Sequence, residues 1–375
     1  MLSHQHLIKY FFKRELSEIY MSVALRDLAL SMSGIFVPIY LFVDLKYSLN
    51  QVLMFFLIFA LALIVGSFMA AKFTSKYGIK HGILASMFGF VTYTIILATL
   101  PYHGWYFIPA IIAGISNSFY WLNFHADFAK FSDNKNQGKE VSTWFITAYV
   151  SILIGPILGS VIITYLGFIS LFVIVVLILL LSAVPLFLSS EVYEPVKFSF
   201  KYIFKKSHLK DSYMYITYGL KTMIFQVVFP LYIFLILGKY ISLGAIASLT
   251  SLGSIIVGFF VGRLSKNEKR EKLMFKYGSL FNSVGIFFMM IVKTFIQIAV
   301  VNVYLAISLI FVEIPHYSLV YEKARKEKNL IEYLTYREIM IGFGRLMGAV
   351  IILIVGKLSY GFIISGIATM SWVLL

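Results

Sequence analysis

Apolar runs of spanning length recur along nearly the whole chain, at roughly 17–43, 49–71, 81–101, 105–129, 141–166, 168–188, 212–237, 241–263, 273–292, 295–321, 333–356 and 359–375. A helix needs about 20 predominantly apolar residues to cross the hydrocarbon core. Irregular backbone cannot replace it there, because lipid offers no hydrogen-bond partner. The pattern predicts an all-α integral membrane protein with 12 transmembrane helices. The 375 residues are 60% hydrophobic and 13% charged, about half the charged share of a soluble chain. The last run is short and stops without a polar tail, as a truncated chain would. At the other end, the run that follows Lys9, Lys13 and Arg14 is too long and too broken by charge for a cleavable signal peptide, and no small-residue cleavage site follows it.

The 32 Lys and Arg exceed the 17 Asp and Glu by 15, and their placement explains the excess. With the N-terminus inside, 24 of the cationic residues fall on inner segments and four on outer ones (Lys46, Lys239, Lys293 and Lys357). Arg26, Lys221, Arg337 and Arg345 lie within the spans. Such asymmetry over short loops is the positive-inside pattern. It puts both termini in the cytoplasm, fits a bacterial cytoplasmic membrane, and accounts for the net charge without a nucleic-acid partner. The chain has no cysteine, which excludes disulfides, thiol nucleophiles and Cys-ligated metals.

The halves repeat one another. Val37–Phe42 (VPIYLF) returns as Phe229–Phe234 (FPLYIF), and Ala71-Lys72-Phe73-Thr74 as Gly262-Arg263-Leu264-Ser265. His125 pairs with His316, and Gly155–Gly159 with Gly344–Gly348, all at offsets of 189 to 192. An even number of spans between copies gives a parallel repeat. The expected units are residues 1–188 and 212–375, each a six-helix bundle, joined by a basic cytoplasmic linker at 189–211. Phe198, Tyr202 and Phe204 among the linker's lysines fit either an amphipathic helix on anionic lipid or a solvated connector.

Two six-helix repeats, inside termini and a long central inner loop resemble the major facilitator superfamily over the whole chain. Two of its motifs are visible. The family's Gly-x-x-x-Asp-Arg-x-Gly-Arg-Arg/Lys turn corresponds to Ala71–Lys80, which keeps Lys76, Gly78 and Lys80 but has Ala71 for the first Gly and Ser75 for the Asp. That Asp latches helices in one conformation in the family, so the departure touches the latch. Gly155, Pro156 and Gly159 in the fifth span resemble the Gly-Pro-x-x-Gly of antiporters, with Ser142 and Ser151 in place of upstream glycines. The fourth span lacks the arginine found there in many drug/proton antiporters. The resemblance implies alternating access, in which two bundles rock about a cavity lined by the first, fourth, seventh and tenth spans.

Ionisable groups at membrane depth are costly and mark candidate sites. Asp27 sits about nine residues into the first span beside Arg26, and successive residues about 100° apart cannot both face a cavity squarely. Asp27 suits a proton carrier or a structural ion pair. In the fourth span, Trp121 and Tyr120 lie deep, for substrate stacking or packing. Asn123 and Asp127 share one face and His125 takes the other. An inner gate suits His125 and Asp127 as well as a binding role does. Glu313 and His316 are i, i+3 neighbours flanking Pro315, a pair able to pass a proton. Glu-x-x-His also occurs in metal sites, but no matching ligands appear. Lys221, with Gln226 beyond it, should face Asp27, Glu313 or an anionic substrate. Arg337 and Glu338 lie one turn into the eleventh span. Arg345 is near mid-membrane and shares a face with Glu338. The glycines at 155, 159, 344 and 348 permit close helix approach. These membrane charges nearly cancel, which leaves the substrate's charge open.

The expectation is a monomeric secondary transporter for a small organic molecule, with protons as coupling ion and no other cofactor. The alternatives are an uncoupled facilitator and a transporter-like sensor or scramblase. No nucleotide-binding loop, metal-spaced cluster or nucleophile motif suggests an enzyme.

Overall fold

The computed structural model describes residues 14–132, 137–187, 208–265 and 267–375. Most of the expected linker, with Phe198, Tyr202 and Phe204, lies outside the described residues. The described residues form eleven helical runs. The first, α1, spans 14–44: Arg14–Gly34, Val37–Ile39, then a π-helical turn at Tyr40–Asp44. It is followed by α2 (Leu49–Tyr77), α3 (Ile79–His103), α4 (Phe107–Phe131) and α5 (Gln137–Phe187). Next comes α6, over 209–237, as Leu209–Met223, a π-helical turn at Ile224–Val228, and Phe229–Leu237. The rest are α7 (Tyr240–Leu264), α8 (Glu268–Phe288), α9 (Phe295–Lys326), α10 (Leu330–Val355) and α11 (Leu358–Ser371). Eight of the described helices are individually long and apolar enough to cross a membrane.

Eleven runs stand where twelve spans were expected because 141–166 and 168–188 share α5. Only Gly167 separates its two arms, at φ 79° and ψ 173°, a conformation open to glycine and barred to residues with a Cβ. Gly78, at φ 96°, makes the equally abrupt corner between α2 and α3. Helix starts are fixed locally: Ser48 with Gln51, and Thr294 with Gln297, form capping boxes that satisfy otherwise orphaned amides.

Helices pack where side chains are smallest. Gly155 and Gly159 of α5 lie against the backbone of Leu28 and Met32 in α1. Gly344 and Gly348 of α10 lie in the same way against α6 at Ile216 and Leu220. The two glycine pairs therefore make equivalent crossings at equivalent positions. The set α1–α5 meets the set α6–α11 through α5 on α7 and α2 on α10. Gly244 rests on Pro156 and Ser160, and Ser142 Oγ donates to the Gly258 carbonyl at 2.7 Å. Large apolar side chains such as Leu61, Val173, Phe260 and Ile354 face outward all round, the surface a bilayer would cover.

Candidate functional site

Between the two sets lies a cavity of about 630 Å³, lined from α1, α4, α5 and α6 through α10. Each end is crossed by polar contacts. At the end carrying the basic loops, His125 Nδ1 is 2.6 Å from Tyr321 Oη. There Arg325 of α9 donates to the Ala129 carbonyl at 3.2 Å, to Ser132 Oγ at 2.8 Å, and to Gln137 Oε1. At the opposite end Tyr240 donates to Asp44 Oδ2 at 2.8 Å, with Phe36, Phe168 and Phe234 packed around its ring.

Arg26 and Asp27 both line the cavity, against the expectation from their angular separation. The arginine's length lets its Nη1 reach back to Asp27 Oδ1 at 2.7 Å. Its guanidinium lies 3.5 Å from the centroid of the Tyr120 ring. Trp121 and His125 stack at 5.2 Å and form part of the wall. Asn123 and Asp127 turn the other way, so they are not cavity residues. Asn123 accepts from Thr74 Oγ1 at 2.7 Å and donates to the Phe119 carbonyl, tying α4 to α2.

On the opposite wall, Lys221 donates to Asn282 Oδ1 at 2.8 Å and pairs with neither Asp27 nor Glu313. Asn282 Nδ2 donates to Ser308 Oγ and the Leu305 carbonyl, which fixes the amide oxygen as acceptor toward the lysine. Glu313 accepts from Tyr218 Oη at 3.0 Å, and among the described residues no cationic group lies within 4.0 Å of it. Among the described residues, no hydrogen bond joins His316 to it. The histidine is buried outside the cavity, stacked on Tyr218 and Phe275, with Nε2 unbonded. Arg337 and Glu338 pair with each other, and Arg345 Nη1 reaches Gln226 Oε1 at 3.3 Å. All four line the cavity.

The loop-motif residues stand apart from the cavity. Ser75 Oγ donates to the Lys72 carbonyl within its own helix, Lys76 lies over the Tyr77 ring, and Lys80 is buried. Gly155 and Gly159 are packing residues, while Pro156 also reaches the cavity wall. Sequence reasoning missed Tyr218, Asn282 and Tyr317. Tyr218 was detectable: Tyr218, Lys221, Thr222 and Phe225 follow i, i+3, i+4, i+7 spacing and all line the cavity, a stripe on one helical face.

A charge-lined cavity between two sets of membrane-length helices is the arrangement of a membrane transporter. The chain belongs to the Major Facilitator Superfamily, whose family model matches residues 19–329. It is 24% identical over 357 residues to the uncharacterized protein YqgE of Bacillus subtilis (strain 168), covering 88% of this chain and 80% of that one. The structure is similar to that of the human organic anion transporter MFSD10 (TETRAN), with a TM-score of 0.71 and 11% identity, over 96% of each chain. It is also similar to the transporter FucP in its outward conformation, with a TM-score of 0.68 and 11% identity, over 97% of this chain and 98% of that one. At such identity the likeness is one of fold.

Proposed function

We propose that the protein is a secondary active transporter that moves a small organic solute by alternating access, with protons as the coupling ion. Twelve crossings form two parallel six-helix units, 1–188 and 212–375. The basic loops and both termini face the cytoplasm of a bacterial cell, and the protein acts as a monomer. The observation that carries the coupling is Glu313. It faces the cavity, is held by the Tyr218 hydroxyl alone, and has no ion-pair partner within 4.0 Å among the described residues. A carboxylate not committed to a fixed pair can take up and release a proton as its surroundings change. Asp27 is the second candidate, its charge shared with Arg26.

The test is purified protein in liposomes with a pH-sensitive dye, scanned against a solute library beside Asp27→Asn and Glu313→Gln. Solute-dependent proton flux lost in Glu313→Gln supports the proposal. Labelled-solute uptake that is proton-silent and intact in all three proteins replaces it with a facilitator whose buried charges gate. Lipid movement without solute flux would point to a scramblase.

A further inference from the structure

We propose that the corner between α7 and α8 is a docking surface for the headgroups of anionic phospholipids such as phosphatidylglycerol. The proposal goes beyond the transport reading and needs only that these helices stand in a bilayer.

The first argument is charge. Arg263, Lys269, Arg270, Lys272 and Lys276 are all exposed. Lys272 pairs with Glu268 at 2.6 Å, whereas among the described residues the side chains of Lys269, Arg270 and Lys276 have no acceptor. Glu271, the corner's other acid, is buried and accepts from Ser265 Oγ and from Ser318 Oγ of α9. Those two bonds tie the corner to α9, so the cations stand on a fixed support. Retention of basic loops on the inner side does not by itself explain so many, and the internal repeat supplies the comparison. The equivalent corner between α2 and α3, 191 residues earlier in the chain, exposes Lys72 and Lys76 and buries Lys80.

The second argument is placement against the apolar surface. Arg263 ends a face of α7 on which Phe259, Ile256, Leu252 and Leu249 lie 4, 7, 11 and 14 residues back, all exposed. Arg270 begins a face of α8 on which Tyr277, Phe281, Val284 and Phe288 follow at 7, 11, 14 and 18 residues, again all exposed. Such spacings keep to one side of a helix. From Arg270 to Phe288 is about 27 Å at about 1.5 Å per residue, close to the thickness of the hydrocarbon core. Each arginine therefore stands where the lipid-facing side of its helix leaves the acyl chains and meets the headgroups. The Arg263 guanidinium lies 3.9 Å from the centroid of the Phe259 ring, against the last ring of its stripe. Guanidinium groups bind phosphate oxygens in pairs, and clustered cations at this depth attract anionic lipid. A free phosphate ester would engage the charges without the apolar faces beside them, so the occupant that uses both is a lipid.

The experiment is native mass spectrometry of the full chain in detergent, titrated with phosphatidylglycerol or with phosphatidylcholine of the same acyl chains. Glycerol 3-phosphate serves as soluble competitor. The expected result is phosphatidylglycerol binding tenfold or more tighter than phosphatidylcholine and undisturbed by the competitor. Arg263→Gln, Lys269→Gln, Arg270→Gln and Lys276→Gln combined should cut that preference at least fivefold. Lys72→Gln with Lys76→Gln, at the other corner, should cut it less than twofold. A photoreactive phosphatidylglycerol cross-linked to the unaltered protein should map to residues 249–288, which keeps the test decisive if the fourfold variant fails to fold. The proposal is overturned by equal binding of the two lipids, by an undiminished preference in the folded fourfold variant, or by an equal loss at the other corner. Cross-links confined to other helices also overturn it. Competition by glycerol 3-phosphate would do so too, by making the corner a phosphate site without use for the acyl chains.

Discussion

Replacing Arg325 with alanine should open the cavity toward the basic loops. Arg325 joins the end of α9 to α4 and α5 with three hydrogen bonds, to the Ala129 carbonyl, Ser132 Oγ and Gln137 Oε1. A hydrogen bond made in place of one to water is worth about 1 kcal/mol net, so the three together hold the end shut by about 3 kcal/mol. That is roughly a hundredfold in the ratio of closed to open molecules. The chain has no cysteine, so one introduced at the cavity-lining Ala148 reports access without interference. In vesicles of either orientation, a membrane-impermeant maleimide should label Ala148→Cys much faster in the Arg325→Ala background, from the basic-loop side only. An unchanged rate in a variant with normal thermal stability would refute the latch. Equal acceleration from both sides would refute the geometry.

Tyr240→Phe removes the 2.8 Å bond to Asp44 at the other end; partly solvated, that bond is worth about 0.5–1 kcal/mol. Labelling from that side should rise about two- to fivefold, and no rise would show that the aromatic packing closes the end. Gly344→Val drives a side chain into the backbone of Ile216 and Leu220. The strain should cost about 1–3 kcal/mol or more, read as a lower Tm in detergent, and an unaltered Tm would disprove the close crossing. Burial raises the Glu271 carboxyl above its ordinary range, against the hydroxyls of Ser265 and Ser318 that hold it down. Ionising it is therefore harder in the folded state, and stability should fall as pH rises from the ordinary carboxylate range through the raised value, then level off. Glu271→Gln should flatten that part of the Tm profile, and an identical slope in the variant would assign it to other groups.

The membrane architecture was legible because hydrocarbon imposes length and apolarity on every crossing. The glycine repeat was legible because a backbone-on-backbone crossing admits only the smallest residue. Gly155 and Gly159 lie on α1, and Gly344 and Gly348 on α6. Facing within a helix was harder to read. In α4 the alternation correctly separated His125 from Asn123 and Asp127, but periodicity has no sign, so it could not say which side was the cavity. Partners were harder still. Lys221 looked like half of an ion pair, whereas its acceptor is the amide of Asn282, one of many polar residues in an apolar helix. His316 looked like a proton partner for Glu313, yet Tyr218 stacks on its ring and supplies the hydroxyl that Glu313 accepts.

The crossing of α10 on α6 at Gly344 and Gly348 has a mechanical consequence. With α6 carbonyl oxygens seated against Gly344 and Gly348, the crossing has no side-chain cushion, and sliding or rolling there sets backbone directly against backbone. Lys221 and Arg345 stand on these two helices and both line the cavity, the lysine reaching Asn282 and Trp372 and the arginine reaching Gln226 and, across to α2, the Phe59 ring.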